Sequence, residues 1–118
     1  MRQRIYADTS AIAGCLDEEF SDASSRLMAL FASGEFVLVL SDLTLRELGK
    51  APDEVQRLLD QIPDNNVEIV SLTEEAAELA QEYLRVGVVG PKMRVDAEHI
   101  ALATVARVDV LVSWNFKH

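Results

Sequence analysis

Residues 36–40 form an uninterrupted apolar run, FVLVL, which narrows the choice of fold for this chain. Because a strand with no polar face must be covered on both sides, such a run is typical of the interior of a parallel sheet. Other strand-like runs cover residues 3–7, 67–71 and 110–113, and segments with helical periodicity separate them. The alternation predicts an α/β fold in three layers, with a parallel sheet of four or five strands sandwiched between helices.

Capping residues and helix breakers predict where the helices begin and end. Thr9 or Ser10 can cap the first helix, Gly34 ends the second, and Thr73 can cap a later amphipathic helix that includes residues 76–84. The other predicted helices cover residues 9–16, 22–32, 42–49, 53–61 and 96–107. Residues 87–94, GVVGPKMR, are the most turn-like stretch of the chain and are predicted to be a loop.

The length of 118 residues suits a single domain, residues 1–118, and an apolar content of 49% is enough to build one core. Cys15 is the single cysteine, so no internal disulfide can form, and we expect a small core residue in a reducing compartment. No apolar stretch approaches the roughly 18 residues needed to cross a bilayer. Asp8 also interrupts the N-terminal apolar run too early for a signal peptide. We therefore expect a cytoplasmic protein that does not associate with membranes.

Four polar side chains follow strand-like runs or open a helix. They are Asp8 after IYA, Glu47 beyond FVLVL, Asp96 before AEHIALATVA and Asn115 after VLVSW. The carboxyl ends of strands in an open α/β sheet meet at one crevice, so these side chains are expected to lie together. Two carboxylates about 4 Å apart repel by about 4 kcal/mol at an effective dielectric constant of about 20. A cluster of three therefore calls for a cation, and oxygen ligands favour Mg²⁺ or Mn²⁺ over Zn²⁺.

Each of the four residues also has a structural interpretation. Asp8 can cap the first helix, and Glu47 can pair with Lys50 on a helix surface. Asp96 can be an acid in the first turn of a helix, where the helix dipole favours it, and Asn115 can be a turn residue. The metal-site hypothesis depends on all four lying at the same edge of the sheet.

Three neighbouring residues leave alternatives open. His99, three residues after Asp96, can be a metal ligand, although a histidine that is hydrogen-bonded locally on a helix face is the favoured interpretation. Glu98 can face solvent or support a ligand. Trp114 can stack on a base, although packing at the end of the sheet is favoured.

The net charge of −9 and the pI of about 4.6 argue against sequence-independent binding to nucleic acid, which depends on neutralising phosphates with Lys and Arg. The positions of the Lys and Arg residues weaken that objection. Six of the 11 basic residues lie within four residues of a candidate ligand: Arg4, Arg46, Lys50, Lys92, Arg94 and Lys117. The acidic surplus lies elsewhere, as in residues 17–19 and 74–82, which we interpret as solvated helix faces.

The four candidate ligands lie in motifs whose order and spacing together are fairly specific. The motifs are YADTSAI with Asp8, SDLTLRELGK with Glu47, DAEHIALA with Asp96 and LVSWNFKH with Asn115. In these motifs the chain resembles PIN-domain ribonucleases, and it is most similar to the VapC-like toxins of prokaryotic toxin–antitoxin pairs. The resemblance covers essentially the whole chain and implies a PIN-like fold, with a parallel sheet between helices.

The resemblance also implies an endoribonuclease that uses Mg²⁺ or Mn²⁺ to hydrolyse single-stranded or looped RNA. The ion would be held by the catalytic residues Asp8, Glu47 and Asp96, together with Asn115. Ser10 and Ser113 would orient waters or ligands. Basic residues near them could guide the RNA backbone, namely Arg46, Lys50, Lys92, Arg94 and Lys117. A homodimer and an antitoxin protein are the implied protein partners.

Two features depart from the family pattern. Asn115 stands where Asp is usual, which removes a charge from the site and would hold a second metal more weakly. The chain ends at His118, where similar proteins usually continue, so it is expected to lack a C-terminal strand or tail. The alternative function is a non-catalytic PIN-like interaction module, which Asn115 and the acidic surface favour. A receiver or haloacid-type phosphatase is disfavoured, because Ser71 and Ser10 stand where those families need Asp.

Overall fold

A computed structural model describes residues 2–71, 73–85 and 94–114, and for residues 94–96 it describes the backbone alone. Four strands and six α-helices alternate along these residues. The strands are β1 (Gln3–Ala7), β2 (Phe36–Ser41), β3 (Val67–Val70) and β4 (Val110–Val112). The helices are α1 (Thr9–Ala13), α2 (Ser21–Ala32), α3 (Asp42–Leu48), α4 (Asp53–Asp60), α5 (Glu74–Arg85) and α6 (Arg94–Val105). Two short 3₁₀ turns, Gly14–Leu16 and Asp64–Asn66, follow α1 and precede β3.

The four strands form one parallel sheet in the order β3-β2-β1-β4, so β1 and β2 are its central strands. Alternation along β1 sends Ile5 and Ala7 to one face of the sheet and Tyr6 to the other. β2 repeats the pattern, with Leu38 and Val39 on opposite faces. Because both faces of the central strands are apolar and buried, helices must cover both, as the run FVLVL predicted.

Two helical layers cover the two faces of the sheet. On one side, α1 to α4 contribute buried side chains that include Ile12, Phe31, Leu48 and Val55. On the other side, α5 and α6 pack against each other and against the sheet, and they do so largely through Ala76, Ala80, Ala97 and Ala101. Small side chains allow these two helices to approach the sheet closely. The predicted three-layer α/β architecture is confirmed.

Helix α1 is capped by Asp8, whereas the sequence suggested Thr9 or Ser10. Asp8 has an extended backbone, and its carboxylate accepts a hydrogen bond from the N–H of Ala11. The hydroxyl of Ser10 donates to Asp8 instead of capping the helix itself. The capping prediction was therefore wrong by one position, and the structural interpretation of Asp8 as a cap is confirmed.

The other element boundaries lie within a few residues of the predictions. Thr73 caps α5, since its hydroxyl oxygen accepts a hydrogen bond from the N–H of Ala76 at 3.1 Å. Gly34 follows α2 with a φ of 83°, a left-handed conformation that glycine adopts without steric cost. Helix α6 begins at Arg94 rather than at residue 96. The predicted loop over residues 87–94 lies outside the described residues except for its last residue.

Arg4 ties together the part of the sheet farthest from Asp8. Its guanidinium pairs with Glu68 of β3, with N–O distances of 2.8 and 2.6 Å, and donates to the carbonyl oxygens of Ala106 and Arg107 after α6. Four residues of extended strand span about 13 Å. Arg4 is therefore near Asp8 in sequence but is a structural residue rather than part of the candidate site.

Two smaller expectations concern Cys15 and membranes. Cys15 is partly buried and packs against the core cluster beneath α1 to α4, which agrees with its interpretation as a small core residue. In the part of the chain that the structure describes, every helix is too short or too polar to cross a bilayer.

Candidate active site

Asp8 lies directly after β1 and is only 1% exposed. Its backbone N–H donates to the carbonyl oxygen of Val112, which ties it to the end of β4. Its carboxylate accepts two hydrogen bonds, both at Oδ1, from the hydroxyl of Ser10 at 2.7 Å and the N–H of Ala11 at 3.1 Å. Among the described residues, nothing donates to Oδ2 and no basic side chain pairs with Asp8. A buried carboxylate needs such compensation, and a cation at Oδ2 would supply it.

Ser10 connects the ends of β1 and β4. Its hydroxyl donates to Asp8, accepts a hydrogen bond from the backbone N–H of Trp114 at 2.9 Å, and lies 3.4 Å from the Ser113 hydroxyl. The structure therefore brings together three of the predicted site residues, Asp8, Ser10 and Ser113.

Trp114 packs against the first helices rather than presenting a free ring. The indole stacks on Phe20 with a centroid distance of 5.3 Å and an interplanar angle of 11°, and its Nε1 donates to the Ser24 hydroxyl at 2.9 Å. A Cβ atom at Gly14 would lie only 2.7 Å from the indole nitrogen, so the close approach requires glycine there. The packing interpretation of Trp114 is confirmed.

Glu47 of α3 contacts His99 of α6 rather than Lys50. Glu47 Oε1 lies 2.8 Å from His99 Nε2, and His99 Nδ1 lies 2.6 Å from the Tyr6 hydroxyl. His99 is only 2% exposed. The expectation of a locally bonded histidine on a helix face was wrong, because its partners are 52 and 93 residues away and it is buried between a helix and the sheet.

The Tyr6 hydroxyl extends this contact into a buried chain of hydrogen bonds. It lies 2.8 Å from the Ser41 hydroxyl and 3.4 Å from the Thr44 hydroxyl. Burial raises the pKa of Tyr6, hydrogen bonds to Ser41 and Thr44 lower it, and the charges of Asp8 and Glu47 raise it further. Tyr6 lies two residues before Asp8 on β1, so the contacts through His99 place Glu47 at the same end of the sheet as Asp8.

This architecture is shared with proteins of known structure. VapC20 from Mycobacterium tuberculosis, described as a toxin that cleaves the sarcin-ricin loop, is 21% identical, with a TM-score of 0.68 over 96% of this chain and 91% of its own. VapBC2 from Rickettsia felis, bound to a DNA fragment from its promoter, is 18% identical, with a TM-score of 0.63 over 98% of this chain and 92% of its own. The chain has the PIN-domain fold of VapC toxins. No model of a known protein family matches it, and no curated protein matches its sequence.

The donor atoms at the site fit an oxygen-ligated divalent ion. Asp8 Oδ2 and Glu47 Oε2 accept no hydrogen bond from the described residues, so each can face a ligand. Both ring nitrogens of His99 are already engaged, which leaves no nitrogen donor there. Carboxylate oxygens without nitrogen or sulfur suit Mg²⁺ or Mn²⁺. The residues that the structure describes contain no group of three or more His, Cys, Asp or Glu side chains that could hold a metal, and the Asp96 side chain is not among them.

The structure describes only some of the remaining predicted site residues. Asp96 lies in the first turn of α6, one turn before His99, and its backbone position matches the interpretation as an acid at a helix start. Arg46 and Lys50 are exposed, on α3 and shortly after it. The described residues do not include Asn115, Lys92 and Lys117, nor the side chain of Arg94.

The sequence interpretation missed the roles of Tyr6 and His99. A usable signal was present, since residues 96–107 are almost wholly apolar, as is typical of a buried helix, and a buried histidine requires hydrogen-bond partners. The period of two along β1 also sends Tyr6 to the face that α6 covers. Only the three-dimensional packing of α6 on β1 identifies the partners.

Proposed function

We propose that the chain is a divalent-metal-dependent endoribonuclease, the toxin of a toxin–antitoxin pair, formed by one domain over residues 1–118. The observation that carries the proposal is Asp8, a buried carboxylate whose Oδ2 has no donor and no basic partner among the described residues. The PIN-domain fold shared with VapC toxins supports the same function.

The proposed roles follow from the positions of the side chains. The ion would be held by Asp8, Glu47 and Asp96, with Asn115 as a neutral oxygen donor. Ser10 holds Oδ1 of Asp8 and, with Ser113, would orient water at the end of β4. RNA would be guided by Arg46, Lys50, Lys92, Arg94 and Lys117.

Hydrolysis joins a water oxygen to phosphorus and breaks one phosphoester bond, so a proton must leave the water and another must reach the leaving oxygen. A bound divalent ion lowers the pKa of water and offsets the charge on the phosphoryl oxygens. Glu47 is a third exposed and would lie beside the ion and its bound water, which makes it the candidate to help deprotonate that water.

Partners and location follow from the same proposal. The similarity to the VapBC2 complex supports an antitoxin partner for this chain. We also propose a homodimer, as the sequence resemblance implied, and a cytoplasmic location, as the composition and the N-terminal sequence implied.

The test is cleavage of single-stranded and hairpin RNA in Mn²⁺ or EDTA, with protein freed of contaminating nucleases. Asp8→Asn and Asp96→Asn should each reduce cleavage by roughly 10³-fold, because several kcal/mol of charge stabilisation is lost and each 1.4 kcal/mol is about tenfold. Arg85→Ala, on the exposed face of α5, is the matched control and should cleave at the parent rate.

The alternative of a non-catalytic interaction module makes the opposite prediction. It expects no RNA cleavage and no change in Tm when millimolar Mg²⁺ or Mn²⁺ is added. Cleavage that persists in Asp8→Asn at the parent rate would instead show that the activity resides elsewhere.

A further inference from the structure

We propose that His99 is a positioning residue that, held by Tyr6, fixes one carboxylate oxygen of Glu47 and so presents the other oxygen to the ion. The inference rests on the proposed metal-dependent function and adds a role for two residues outside the predicted ligand set. It concerns how Glu47 is oriented and not which side chains touch the RNA.

The partners of His99 define which of its ring nitrogens donates. A carboxylate only accepts hydrogen bonds, so the 2.8 Å contact with Glu47 Oε1 requires a proton on Nε2. In the neutral imidazole Nδ1 is then an acceptor, and the Tyr6 hydroxyl, 2.6 Å away, donates to it. The Ser41 and Thr44 hydroxyls lie 2.8 and 3.4 Å from the Tyr6 hydroxyl and help to hold it in place.

The proton on Nε2 is directed at Glu47. The Nε2–Oε1 distance is 2.8 Å, a normal length for a hydrogen bond to a carboxylate. Glu47 Oε1 is thereby occupied, and Oε2 is the oxygen that remains. Without the contact, the Glu47 side chain would be free to rotate, because it is long and a third exposed.

Because Glu47 is partly exposed, its hydrogen bond with His99 is not needed merely to provide the two side chains with hydrogen-bond partners. A carboxylate that is 34% exposed can be satisfied by water, so it needs no buried imidazole. His99 is 2% exposed and does need hydrogen-bond partners, and Tyr6 supplies one of them. An apolar residue at this position would need no hydrogen-bond partner at all. A rigid imidazole held from the sheet and aimed at a flexible acid is the arrangement that orients a metal ligand.

Two amide substitutions separate the halves of the contact. In His99→Gln the side-chain nitrogen can reach the position of Nε2 and keep the donor to Glu47. In His99→Asn the shorter amide reaches only the position of Nδ1, so it can contact Tyr6 but not Glu47. Thr104→Ala, on the exposed side of the same helix, removes a hydroxyl that donates to the Ile100 carbonyl and is the matched control.

The measurement is the Kd for Mn²⁺, from the electron paramagnetic resonance of the free ion, on folded protein without RNA. His99→Asn should raise this Kd by about 10-fold to 100-fold, the usual effect of removing a residue that orients a metal ligand. His99→Gln should stay within about 3-fold of the parent, at the lower limit of such effects. Tyr6→Phe keeps His99 but removes the hydrogen bond to its Nδ1, and it should raise the Kd by up to about 10-fold. Cleavage by His99→Asn should recover as Mn²⁺ is raised, since affinity and not chemistry is lost.

The outcomes separate this inference from the function on which it rests. If Asp8→Asn abolishes Mn²⁺ binding while His99→Asn and His99→Gln bind alike, the inference fails and the proposed function stands. A parent protein that neither binds Mn²⁺ nor cleaves RNA overturns both. If neither amide variant folds, Tyr6→Phe decides, and a Kd equal to that of the parent overturns the role of the buried chain.

Discussion

The charged side chains near the two ends of β1 differ in whether they have a partner of opposite charge. Near its N-terminal end, Arg4 pairs with Glu68 and donates to two carbonyl oxygens, so both charges have partners. The Arg4 side chain is 30% exposed and the Glu68 side chain is 42% exposed. At its C-terminal end, Asp8 is 1% exposed and has only the neutral donors of Ser10 and Ala11 among the described residues.

The difference supports the proposal that one end of the sheet is a stabilising end and that the other is a ligand end, which binds an ion. A half-exposed ion pair that also binds helix-end carbonyls holds the fold together at modest gain. Burying a carboxylate without a cation is costly, and a bound ion would supply the missing charge. The neighbouring Glu47 and the buried Tyr6–His99 contact lie at that same ligand end.

The largest expected effect is on the response of stability to metal. Parent protein in Mn²⁺ at about 100 times Kd should gain about 2.7 kcal/mol, which for a domain of this size is roughly 10 °C in Tm. Asp8→Asn should lose that gain and should be at least as stable as the parent in EDTA, because a neutral amide is cheaper to bury and still caps α1. Calorimetry with and without Mn²⁺ measures both effects.

Glu68→Gln is the control for this comparison, since it neutralises an acid at the other end of the sheet. It should keep the full Mn²⁺-induced rise in Tm. An equal rise in Asp8→Asn would remove the distinction between the two ends.

The next effect is the loss of stability when the paired end is broken. Arg4→Met should lower the free energy of unfolding by about 1–2 kcal/mol, because the carbonyl oxygens of Ala106 and Arg107 lose a donor and Glu68 loses its partner. Arg4→Lys should restore only part of this, since one ammonium cannot reproduce the guanidinium fork. Urea denaturation measures the change, and the Kd for Mn²⁺ should not move in either variant.

A smaller effect is expected in alkaline solution. Burial raises the pKa of Tyr6 above its usual value of about 10. The unfolded chain therefore releases the proton first, so the contribution of Tyr6 is complete below about pH 10 and is lost as the pH rises toward the folded pKa. Stability should fall less steeply above about pH 10 in Tyr6→Phe than in the parent.

Tyr83→Phe gives the comparison for this alkaline titration, because it removes the other tyrosine of the chain. It should keep the steep decline of the parent in denaturant melts from neutral to alkaline pH. Parallel curves for the parent and Tyr6→Phe would mean that the buried hydroxyl does not titrate with unfolding.

The layered fold could be predicted because it depends on local pattern. The run of residues 36–40 requires cover on both faces, and the alternation of strands and helices leaves few ways to provide it. The cap of α1 was misplaced by one residue because Asp8, Thr9 and Ser10 all have capping chemistry, and only the backbone conformation distinguishes them.

The candidate site was predictable in position but not in its connections. Asp8 and Glu47 follow strands whose ends must meet, so their common location could be inferred from the order of elements. The contact of His99 with Tyr6 and Glu47 joins β1, α3 and α6 across 93 and 52 residues, and no local pattern encodes such a pairing. Its prediction requires the packing of α6 on the sheet, which depends on the whole core.

The smallest expected effect concerns one arginine at each end of the sheet. Arg46→Gln, beside Glu47, should lower kcat/KM for RNA by no more than about 5-fold, since an exposed charge contributes up to about 1 kcal/mol. It should also reduce the dependence of log kcat/KM on log salt by about 0.7, the value for one phosphate contact on a single strand. Arg2→Gln, whose side chain binds Asn66 and neighbouring carbonyls at the opposite end, should leave the salt dependence unchanged. If both variants shift the salt dependence equally, RNA does not approach specifically from the end that carries Asp8, and the division of the sheet into a stabilising end and a ligand end loses its functional meaning.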